Sequence, residues 1–448
     1  MEKILIIGGN AAGLTAGSRA KRLDPRLGVT VLERGPFISY STCGIPYFLS
    51  NLVKSDDLIG YTPGSLGEER GIEAHVGIEV ESILPSRKLV TGRRVGTGES
   101  VSFDFDRLMI GTGVKPRLPE IPGLHLGNVF TVTGLADAMP LQAALSGAEN
   151  IAVVGGGYVG LEITESLRAI GKGVTIFEQR ERVLGSVDDD IARIVEYELL
   201  RHGVGLRTGS RVEALVGESD SVSGIKARGQ LGAHPTDLVL LDTGVLPNVD
   251  LAVGAGIRTG STGAIAVNEY METNVSNIFA AGNCAEAYCS IRRRPVLHYV
   301  GTVAAKQGRI AGENMTGRRA KFAGSVGTTI LKVFELAVGR TGLSSAEARA
   351  ERIPTVSARI EAMDRAAYHP DARKIWVKLI ADRDSRRVIG AQAAGYGNVP
   401  KRIDVAAVAI TSGMTVAELS QTDLGYTPPY SSLWDPILVA AQNLLRKL

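Results

Sequence analysis

Cysteine is scarce in this chain, with three residues in 448. Three cysteines cannot build a disulfide framework, so we expect a reducing compartment and consider each cysteine for its reactivity. An excess of one charge is also missing, because 50 Lys and Arg residues stand against 47 Asp and Glu residues. Proteins that bind nucleic acid usually concentrate basic residues, so we expect no nucleic-acid partner.

Long apolar runs are missing as well. No stretch of the sequence reaches the ~18 uninterrupted apolar residues of a membrane span. The chain opens MEKILIIGGN, which lacks the long apolar segment and the cleavage site of a secretion signal. We therefore expect a cytoplasmic protein with no membrane contact. Hydrophobic residues make up 44% and charged residues 22% of the chain, a composition that excludes disordered and fibrous classes.

Glycine, in contrast, is abundant, at 54 of 448 residues against the ~7% that is typical of proteins. Aromatic residues account for only 5%. Much glycine without a short repeat or many prolines is typical of tight turns in which a ligand lies close to the backbone.

The first such turn follows a predicted buried strand, Ile4–Ile7, and reads GGNAAG; we call it the first cradle. Gly8 permits the tight turn and Gly13 permits close packing of the next helix, whose N-terminus attracts a pyrophosphate. Asn10 replaces the middle glycine of the dinucleotide-binding fingerprint. Glu33 ends the next predicted strand, where a carboxylate accepts a hydrogen bond from a ribose hydroxyl.

The same pattern returns in IAVVGGGYVGLEITESLRAIG, whose turn GGGYVG we call the second cradle. Its fingerprint is complete and consists of Gly155, Gly157 and Gly160. Glu178 stands at the ribose position, and its carboxylate repels a 2′-phosphate, which favours NADH over NADPH. Arg180 and Arg182 follow closely and keep NADPH possible.

Cys43 is the cysteine with a chemical context. It precedes Gly44 and the segment IPYFLSNLV, in which Pro46 suits the first turn of a helix. A thiol at a helix N-terminus has its thiolate stabilised by the helix dipole, so we predict a redox-active cysteine. Cys284 and Cys289 have no third ligand for a metal site, and we interpret them as bystanders.

The repeated pattern predicts an α/β protein with two Rossmann-like dinucleotide-binding domains and a C-terminal α+β domain. The predicted ranges are 1–115 with 245–319, then 116–244, then 320–448. We expect segments 238–248 and 278–287 to return to the first sheet. From about residue 320, alternating runs indicate an antiparallel sheet.

These features resemble the FAD-dependent pyridine nucleotide–disulfide oxidoreductases. The resemblance rests on the two fingerprints, on the single cysteine in STCGIPY, and on the segments LMIGTGVKP, LDTGVLPNVDLA, NIFAAGNCAEA, KRIDVAAVAI and LGYTPPYSSLWDPI. Within that family the chain is similar to the single-cysteine branch, which includes coenzyme A-disulfide reductase, NADH oxidase and NADH peroxidase.

The resemblance implies FAD and NAD(P)H as cofactors and a homodimer whose active site is shared across the interface. It assigns the FAD-binding residues as Gly8, Gly13, Glu33, Gly111, Thr112, Gly113, Gly282 and Asn283. It assigns the NAD(P)H-binding residues as Gly155, Gly157, Tyr158, Gly160 and Glu178. In this assignment Tyr158 is an aromatic gate over the flavin; read without the resemblance, it is a core residue.

The resemblance also makes Cys43 the redox thiolate, with Tyr368 and Tyr426 reaching it across the dimer interface to hydrogen-bond or protonate a leaving coenzyme A thiolate. Coenzyme A-binding residues are expected to be Ser39, Thr42, Arg19 and Arg22, whereas a solvated helix face is the competing interpretation of the arginines. No metal is expected.

The sequence departs from the family pattern at three positions. Asn283 replaces the usual Asp, so a charge-assisted bond to FAD is lost. Thr42 replaces an Asn found in many of the reductases. Ala11 stands where the oxidases and peroxidases carry an active-site His, which favours a disulfide-type substrate.

The expected function is therefore reduction of coenzyme A disulfide, or of a coenzyme A-linked persulfide or polysulfide, through one redox cysteine. Two alternatives stay open. One is an NADH oxidase or peroxidase that cycles Cys43 through a sulfenic acid. The other is a non-catalytic flavin redox-sensing module whose catalysis is lost through Asn10 and Asn283.

Overall fold

The computed structural model describes residues 1–218 and 220–448. Its first segment supplies strands β1 (Lys3–Ile7), β2 (Gly28–Leu32), β3 (Glu73–His75), β4 (Ile78–Leu84), β5 (Leu89–Arg94), β6 (Ser100–Asp104), β7 (Arg107–Ile110) and β8 (Val114–Pro116). The helices of this segment are α1 (Ala11–Leu23), α2 (Ile45–Leu49) and α3 (Pro63–Arg70). β4, β5 and β6 form a separate antiparallel sheet.

The second segment repeats the β–turn–α plan. Its strands are β9 (Val129–Phe130), β10 (Asn150–Val154), β11 (Gly173–Phe177), β12 (Gly205–Arg207), β13 (Val212–Glu218), β14 (Ser221–Ala227), β15 (His234–Pro235), β16 (Leu238–Leu241) and β17 (Val245–Pro247). Its helices are α4 (Leu135–Ala144), α5 (Tyr158–Ala169) and α6 (Asp189–Arg201). The parallel sheet of this segment has the order β12-β11-β10-β16-β9.

The chain then returns to the first sheet. It contributes α7 (Asp250–Gly254), β18 (Ile278–Ala280), β19 (Ala287–Cys289), β20 (Arg294–Val296) and α8 (Gly301–Asn314). β18 pairs in parallel with β7 and completes the order β18-β7-β1-β2-β3. Of the two segments expected to return to the first sheet, 278–287 does so through β18. The expectation for 238–248 is wrong, because β16 pairs with β10 in the second sheet.

A two-stranded ribbon connects the two parallel sheets. β8 pairs antiparallel with β17, close to the predicted boundaries at residues 115 and 245. We propose that this ribbon marks the two crossings between the discontinuous first domain and the inserted second domain.

The last segment forms the predicted antiparallel sheet. Its strands are β21 (Thr329–Val333), β22 (Leu336–Gly342), β23 (Thr355–Met363), β24 (Lys374–Asp382) and β25 (Val388–Gly395), in the order β21-β22-β25-β24-β23. Its helices are α9 (Ser345–Ala350), α10 (Val399–Thr411), α11 (Val416–Ser420) and α12 (Pro436–Leu445). Helices α10 and α12 cover one face, while the other face contributes Leu331 and Val338 to a core shared with α6.

Small residues let α1 and α8 approach closely. A Cβ added at Gly308 would lie 2.2 Å from the Ala12 carbonyl oxygen, and one at Gly312 would lie 2.3 Å from that of Ala16. Glycine at these positions therefore holds the helix that follows the first cradle against the returning part of the chain. Across residues 1–218 and 220–448, the structure shows no helix whose length and apolar character would suit a membrane crossing.

Candidate active site

The first cradle has the tight geometry that its glycines predict. Gly8 adopts φ +107°, and its N–H donates to the Leu32 carbonyl oxygen at 2.8 Å. A Cβ at Gly8 would lie 2.2 Å from the Gly111 carbonyl oxygen, and one at Gly13 would lie 1.9 Å from that of Gly8. A side chain at either position would therefore displace backbone at the place where a pyrophosphate is expected.

Glu33 sits beside this turn with both carboxylate oxygens fixed. One oxygen accepts from Gly9 N and the other from Gly35 N, each at 2.8 Å. A carboxylate oxygen accepts more than one hydrogen bond, so the half-buried Glu33 can still receive a ribose hydroxyl. The predicted role of Glu33 in binding the adenosine ribose of FAD stays a prediction.

The loops that carry Thr112 and Asn248 meet beside the first cradle. The Thr112 hydroxyl donates to the Asn248 carbonyl oxygen at 2.7 Å, and Asn248 Nδ2 donates back to the Thr112 carbonyl oxygen at 2.9 Å. This exchange fixes the turn of Gly111, Thr112 and Gly113 against the β17 end of the ribbon. The predicted role of that turn in FAD binding stays a prediction.

The turn at Gly282 and Asn283 carries an unsatisfied polar atom. Gly282 N donates to Gln307 Oε1 at 2.9 Å, and Gly282 adopts φ +85°. Asn283 Oδ1 is buried, and no group among the described residues donates to it. A buried acceptor without a donor is costly, so Asn283 Oδ1 fits a ligand hydroxyl such as one on a ribityl chain.

The second cradle repeats the backbone geometry of the first. A Cβ at Gly155 would lie 2.0 Å from the Asp242 carbonyl oxygen, and one at Gly160 would lie 2.3 Å from that of Gly155. Glu178 accepts from Gly156 N and Arg180 N, each at 2.8 Å. Gly157 is the N-cap of α5.

Asp242 is a feature of the second cradle that the motif did not reveal. It follows β16, and its Oδ2 accepts from Gly160 N at 2.7 Å. Burial, together with the nearby charge of Glu178, raises the pKa of Asp242 to about 6. A titratable carboxylate therefore lies directly beneath the turn that is expected to hold a pyrophosphate.

Tyr158 begins α5, and its side chain reaches β21 of the C-terminal antiparallel sheet. Its hydroxyl shares a hydrogen bond with the Thr329 hydroxyl at 2.6 Å and accepts from Ser186 Oγ at 3.3 Å. The ring packs against the core that the second parallel sheet shares with the C-terminal antiparallel sheet. These contacts fix a resting position for Tyr158, and its predicted role as a gate stays a prediction.

Cys43 lies exposed on a 3₁₀ turn, Thr42–Gly44, immediately before α2. Pro46 stands in the first turn of α2 as expected, but the helix has five residues and is shorter than the segment IPYFLSNLV suggested. It stops before Asn51, whose φ is +59°. A helix this short has a small dipole, so the structure offers Cys43 exposure more than dipole stabilisation.

The other two cysteines are buried. Cys284 is enclosed beneath Thr112, and its Sγ contacts the Ile110 and Ala281 carbonyl oxygens at 3.6 and 3.5 Å. Burial raises the pKa of Cys284, which disfavours a reactive thiolate. Cys289 ends the short strand β19. Their placement agrees with the interpretation of both as bystanders.

A basic cavity of about 290 Å³ lies beside α1. Three of the four expected coenzyme A-binding residues line it, namely Arg19, Arg22 and Ser39, whereas Thr42 does not. Three further polar lining residues come from other elements and had no signal in the sequence: Tyr61, Arg70 and Arg309. Four arginines and one tyrosine thus surround a space of the size of a small ligand.

The arginines of this cavity differ in their partners. Arg19 forms an ion pair with Glu313 of α8, and Arg70 donates to the Tyr61 hydroxyl at 2.6 Å. Within the described part of the chain, Arg22 and Arg309 form no ion pair. The neighbouring Lys21 points elsewhere, because its Nζ donates to the Pro25 and Leu27 carbonyl oxygens. Arg22 and Arg309 are therefore the cations most available to an anion.

Ser39 connects the cavity to the first cradle. Its N–H donates to the Gly9 carbonyl oxygen at 2.9 Å, and its carbonyl oxygen accepts from Gly60 N at 2.6 Å. Its φ of +56° lies in the left-handed region, which non-glycine residues rarely adopt outside functional loops. The loop that leads to Cys43 is thus anchored to both predicted binding sites.

Tyr368 and Tyr426 meet on the surface of the C-terminal domain. A hydrogen bond with Tyr426 raises the pKa of Tyr368, and the two residues are 77% and 46% exposed. Further exposed apolar side chains of the same C-terminal segment are Tyr430, Leu433 and Trp434. This segment ends at the buried Asp435, whose Oδ1 accepts from Arg402 Nε at 3.0 Å. A rigidly anchored apolar segment of this kind is typical of a subunit interface.

One cluster of metal-ligand type lies away from these sites. Glu198, His202 and Glu335 bring their ligand atoms close together. Arg201 pairs with both carboxylates, and the Tyr396 hydroxyl donates to Glu198 at 2.9 Å. Protein groups already satisfy these carboxylates, so the cluster is an ion-pair network.

Taken together, two dinucleotide cradles, an exposed cysteine and a separate interface sheet define a two-nucleotide oxidoreductase. The chain matches the pyridine nucleotide-disulphide oxidoreductase family over residues 2–308 and the dimerisation domain of that family over residues 328–436. The chain belongs to this family, which uses FAD and NAD(P)H.

Named relatives share nearly the whole chain. An NAD(P)H coenzyme A polysulfide/persulfide reductase of Pyrococcus horikoshii is 38% identical over 99% of this chain and 98% of its own length. An NADH oxidase of Methanocaldococcus jannaschii is 34% identical over 100% and 99%. A coenzyme A disulfide reductase of Staphylococcus haemolyticus is 27% identical over 96% of both chains.

A solved structure has the same fold. The NAD-dependent persulfide reductase from A. fulgidus superposes with a TM-score of 0.96 at 38% identity, covering 99% of this chain and 83% of its own. The predicted family and fold class are therefore confirmed, and the chain is an NAD(P)H-dependent flavoprotein oxidoreductase with a dimerisation domain.

Proposed function

We propose that this chain reduces coenzyme A disulfide, or a coenzyme A-linked persulfide or polysulfide, with electrons from NAD(P)H. One observation carries the proposal. A single exposed cysteine, Cys43, stands four residues after Ser39, which lines a cavity with four arginines. A thiol substrate that carries several phosphates matches this pairing of sulfur chemistry with positive charge.

The cavity has the chemistry of a coenzyme A subsite. Arg22 and Arg309 supply two cations that form no ion pair with any residue the structure describes, and Arg70 can bond an anion while its guanidinium lies 5.4 Å from the Tyr61 ring centroid. Arg19 has a weaker claim than its sequence position suggested, because Glu313 neutralises it. Thr42 lies outside the cavity and next to Cys43, so we assign it to the reacting end of the substrate.

The cofactor residues are assigned in the same way. The first cradle, Glu33, the turn at 111–113 and the turn at Gly282 and Asn283 would hold FAD. The second cradle, Tyr158 and Glu178 would hold NAD(P)H. Bound at the first cradle, FAD would supply the two-electron chemistry that couples NAD(P)H oxidation to sulfur reduction.

Cys43 performs the exchange with the substrate. Its thiolate attacks one sulfur of the disulfide, which forms a Cys43–coenzyme A mixed disulfide and releases the first coenzyme A as a thiolate. Two electrons then break the mixed disulfide, so Cys43 returns as a thiolate and the second coenzyme A leaves. Each cycle consumes one NAD(P)H and one proton and yields two thiols. No other cysteine is needed, which agrees with the burial of Cys284 and Cys289.

Tyr368 and Tyr426 are proposed to act across a homodimer interface on Cys43 of the other subunit. A phenol is protonated at neutral pH, and hydrogen bonding to Tyr426 raises the pKa of Tyr368 further, so Tyr368 can donate a hydrogen bond to a leaving thiolate. The exposed segment that carries Tyr426 provides the surface for this pairing.

A second candidate function is an NADH oxidase, and the Methanocaldococcus jannaschii relative carries that name. Ala11 argues against it. In the structure Ala11 is the first residue of α1, and its methyl group cannot transfer a proton to a peroxide or to a sulfenic acid. The third candidate, a non-catalytic flavin module, requires that Asn10 and Asn283 abolish turnover.

The test is NADH consumption by the purified yellow protein with coenzyme A disulfide, polysulfide, peroxide or oxygen as sole acceptor. We expect turnover with the coenzyme A-linked sulfur acceptors and a loss of at least ~1,000-fold in the Cys43→Ser variant, as for removal of a catalytic nucleophile. Cys289→Ser is the matched control and should turn over like the wild type. Fast oxygen turnover that survives Cys43→Ser would refute the disulfide mechanism, and a colourless protein that takes up no FAD would refute both enzyme functions.

A further inference from the structure

The two cradles differ in the residue that follows the strand beneath them. After β7 this residue is Gly111, and a Cβ built there would lie 3.7 Å from Gly13 N. After β16 the corresponding residue is Asp242, whose carboxylate accepts from Gly160 N at 2.7 Å. Gly13 and Gly160 are equivalent positions, because each is the third residue of the helix that follows its cradle.

The amide of Gly160 is therefore already occupied, whereas no side chain at position 111 can reach that of Gly13. An N–H in the first turn of a helix is one of the groups that hold a nucleotide pyrophosphate. Asp242 removes that donor in the second cradle. It also puts a carboxylate next to Gly157, whose added Cβ would lie 3.3 Å from Asp242 Oδ2.

We propose that Asp242 sets the affinity of the enzyme for NAD(P)H, by holding a carboxylate beneath the pyrophosphate site so that the dinucleotide binds loosely and exchanges quickly. The first cradle, with Gly111 in the same place, retains its dinucleotide. This inference rests on the assignment of the second cradle to NAD(P)H and does not depend on the sulfur substrate.

The proposal predicts the direction of a pH effect. The charged side chain that acts on Asp242 from the β11 side is Glu178, which disfavours ionisation, and α5 presents the backbone amide of Gly160, which favours it. On the ribbon side, the neighbouring Thr243 hydroxyl donates to the carbonyl oxygen of Arg117 and not to the Asp242 carboxylate. Because the pKa of Asp242 is about 6, the carboxyl is neutral below that pH and anionic above it. A pyrophosphate therefore binds more weakly as the pH rises through 6.

The experiment is isothermal titration of the FAD-loaded protein with ADP-ribose, which carries the pyrophosphate and cannot be reduced. The variant is Asp242→Asn, whose amide oxygen can still accept from Gly160 N without the charge. We expect the wild-type Kd to rise about tenfold between pH 5 and pH 8, which is one unit of linked pKa shift. The variant should bind with the low-pH affinity throughout.

Two further proteins complete the test. Glu149→Gln is the matched control, because it removes an exposed charge at the other end of β10 and should leave the pH profile unchanged. Asp242→Gly copies Gly111 and should also bind tightly at pH 8. A wild-type Kd that is flat from pH 5 to pH 8, or a Kd at pH 8 that neither variant lowers, would overturn the proposal. Absence of ADP-ribose binding in the yellow wild-type protein would instead overturn the assignment of the second cradle.

Discussion

The first and second cradles follow one backbone plan with different side chains. Both have a positive-φ glycine over a carbonyl oxygen, at Gly8 and Gly155, and both have a carboxylate fixed by two backbone amides, at Glu33 and Glu178. The first cradle is Gly-Gly-Asn-Ala-Ala-Gly and lies over Gly111, whereas the second is Gly-Gly-Gly-Tyr-Val-Gly and lies over Asp242.

We propose that this difference lets one fold retain one cofactor and release the other. Helix α1 of the first cradle is clamped by α8, with Gly308 against Ala12. Helix α5 of the second begins with Tyr158, whose hydroxyl bonds to Thr329 of another sheet. The helix of the first cradle is thus held by close backbone packing, whereas the helix of the second begins with a side chain that bonds to another sheet.

The largest effect is expected from breaking each cradle in turn. Gly8→Ala should abolish FAD retention, and Gly155→Ala should keep FAD but weaken NADH binding by at least ~100-fold, because each alanine combines a strained backbone with a contact near 2 Å. FAD content per folded protein and the NADH Kd report the two losses separately.

Gly96→Ala is the control for the glycine pair. Gly96 also has a positive φ, of +93°, but a Cβ there would meet nothing within 4 Å. It should change neither affinity. If Gly155→Ala released FAD as readily as Gly8→Ala, the two cradles could not have separate ligands.

The next largest effect is expected at the cavity beside α1, which lies outside both cradles. The double variant Arg70→Ala/Arg309→Ala should raise the KM for coenzyme A disulfide ~100-fold or more, because each lost charge-assisted bond costs about 1.5 kcal/mol or more. NADH affinity and FAD content should stay unchanged.

The control for this double variant is Arg94→Ala. It removes an exposed arginine at the end of β5 that forms an ion pair with Glu99. An unchanged KM in the double variant would show that the cavity beside α1 is not the coenzyme A site.

A smaller effect is expected from the ribose carboxylates. Glu178→Gln should weaken NADH binding about tenfold through the loss of a charge-assisted hydrogen bond, and it should narrow the preference for NADH over NADPH. Glu33→Gln should weaken FAD by a similar factor and leave NADH binding intact. Kd values of NADH and NADPH for the two variants decide this, and equal effects of both variants on NADH would contradict the assignment.

The smallest expected effect concerns the tyrosine pair. Tyr426→Phe should lower kcat with coenzyme A disulfide about fivefold, because one lost hydrogen bond costs about 1 kcal/mol while Tyr368 remains to bond the leaving thiolate, and it should leave hydride transfer from NADH unchanged. Tyr430→Phe, a neighbouring exposed tyrosine, serves as the control. If Tyr426→Phe turned over like the wild type, its proposed role at Cys43 would fall.

The local patterns of the sequence predicted much of this structure. Each cradle is encoded within one strand–turn–helix stretch, so Gly8, Gly13, Gly155 and Gly160 were recognisable without knowledge of the rest of the chain. The antiparallel sheet beyond residue 320 was equally local, because its alternating pattern sets each strand.

What the sequence did not predict depends on contacts between distant segments. Residues 238–241 were expected in the first sheet and lie in the second, since strand order is set by long-range pairing. Arg70 and Arg309 reach the cavity from α3 and α8, and Asp242 reaches Gly160 across 82 positions. Arg19 looked free from its sequence but is paired with Glu313 of α8.

The central claim is that Cys43 exchanges directly with a coenzyme A disulfide, and it can be tested without NADH. The desalted protein, with Cys43 reduced and the flavin oxidised, is mixed with coenzyme A disulfide, released thiol is counted, and the protein is weighed by mass spectrometry. We predict one coenzyme A thiol released per subunit and one coenzyme A retained on the peptide that contains Cys43. No adduct on that peptide, or thiol release that is unchanged in Cys43→Ser, would contradict the account.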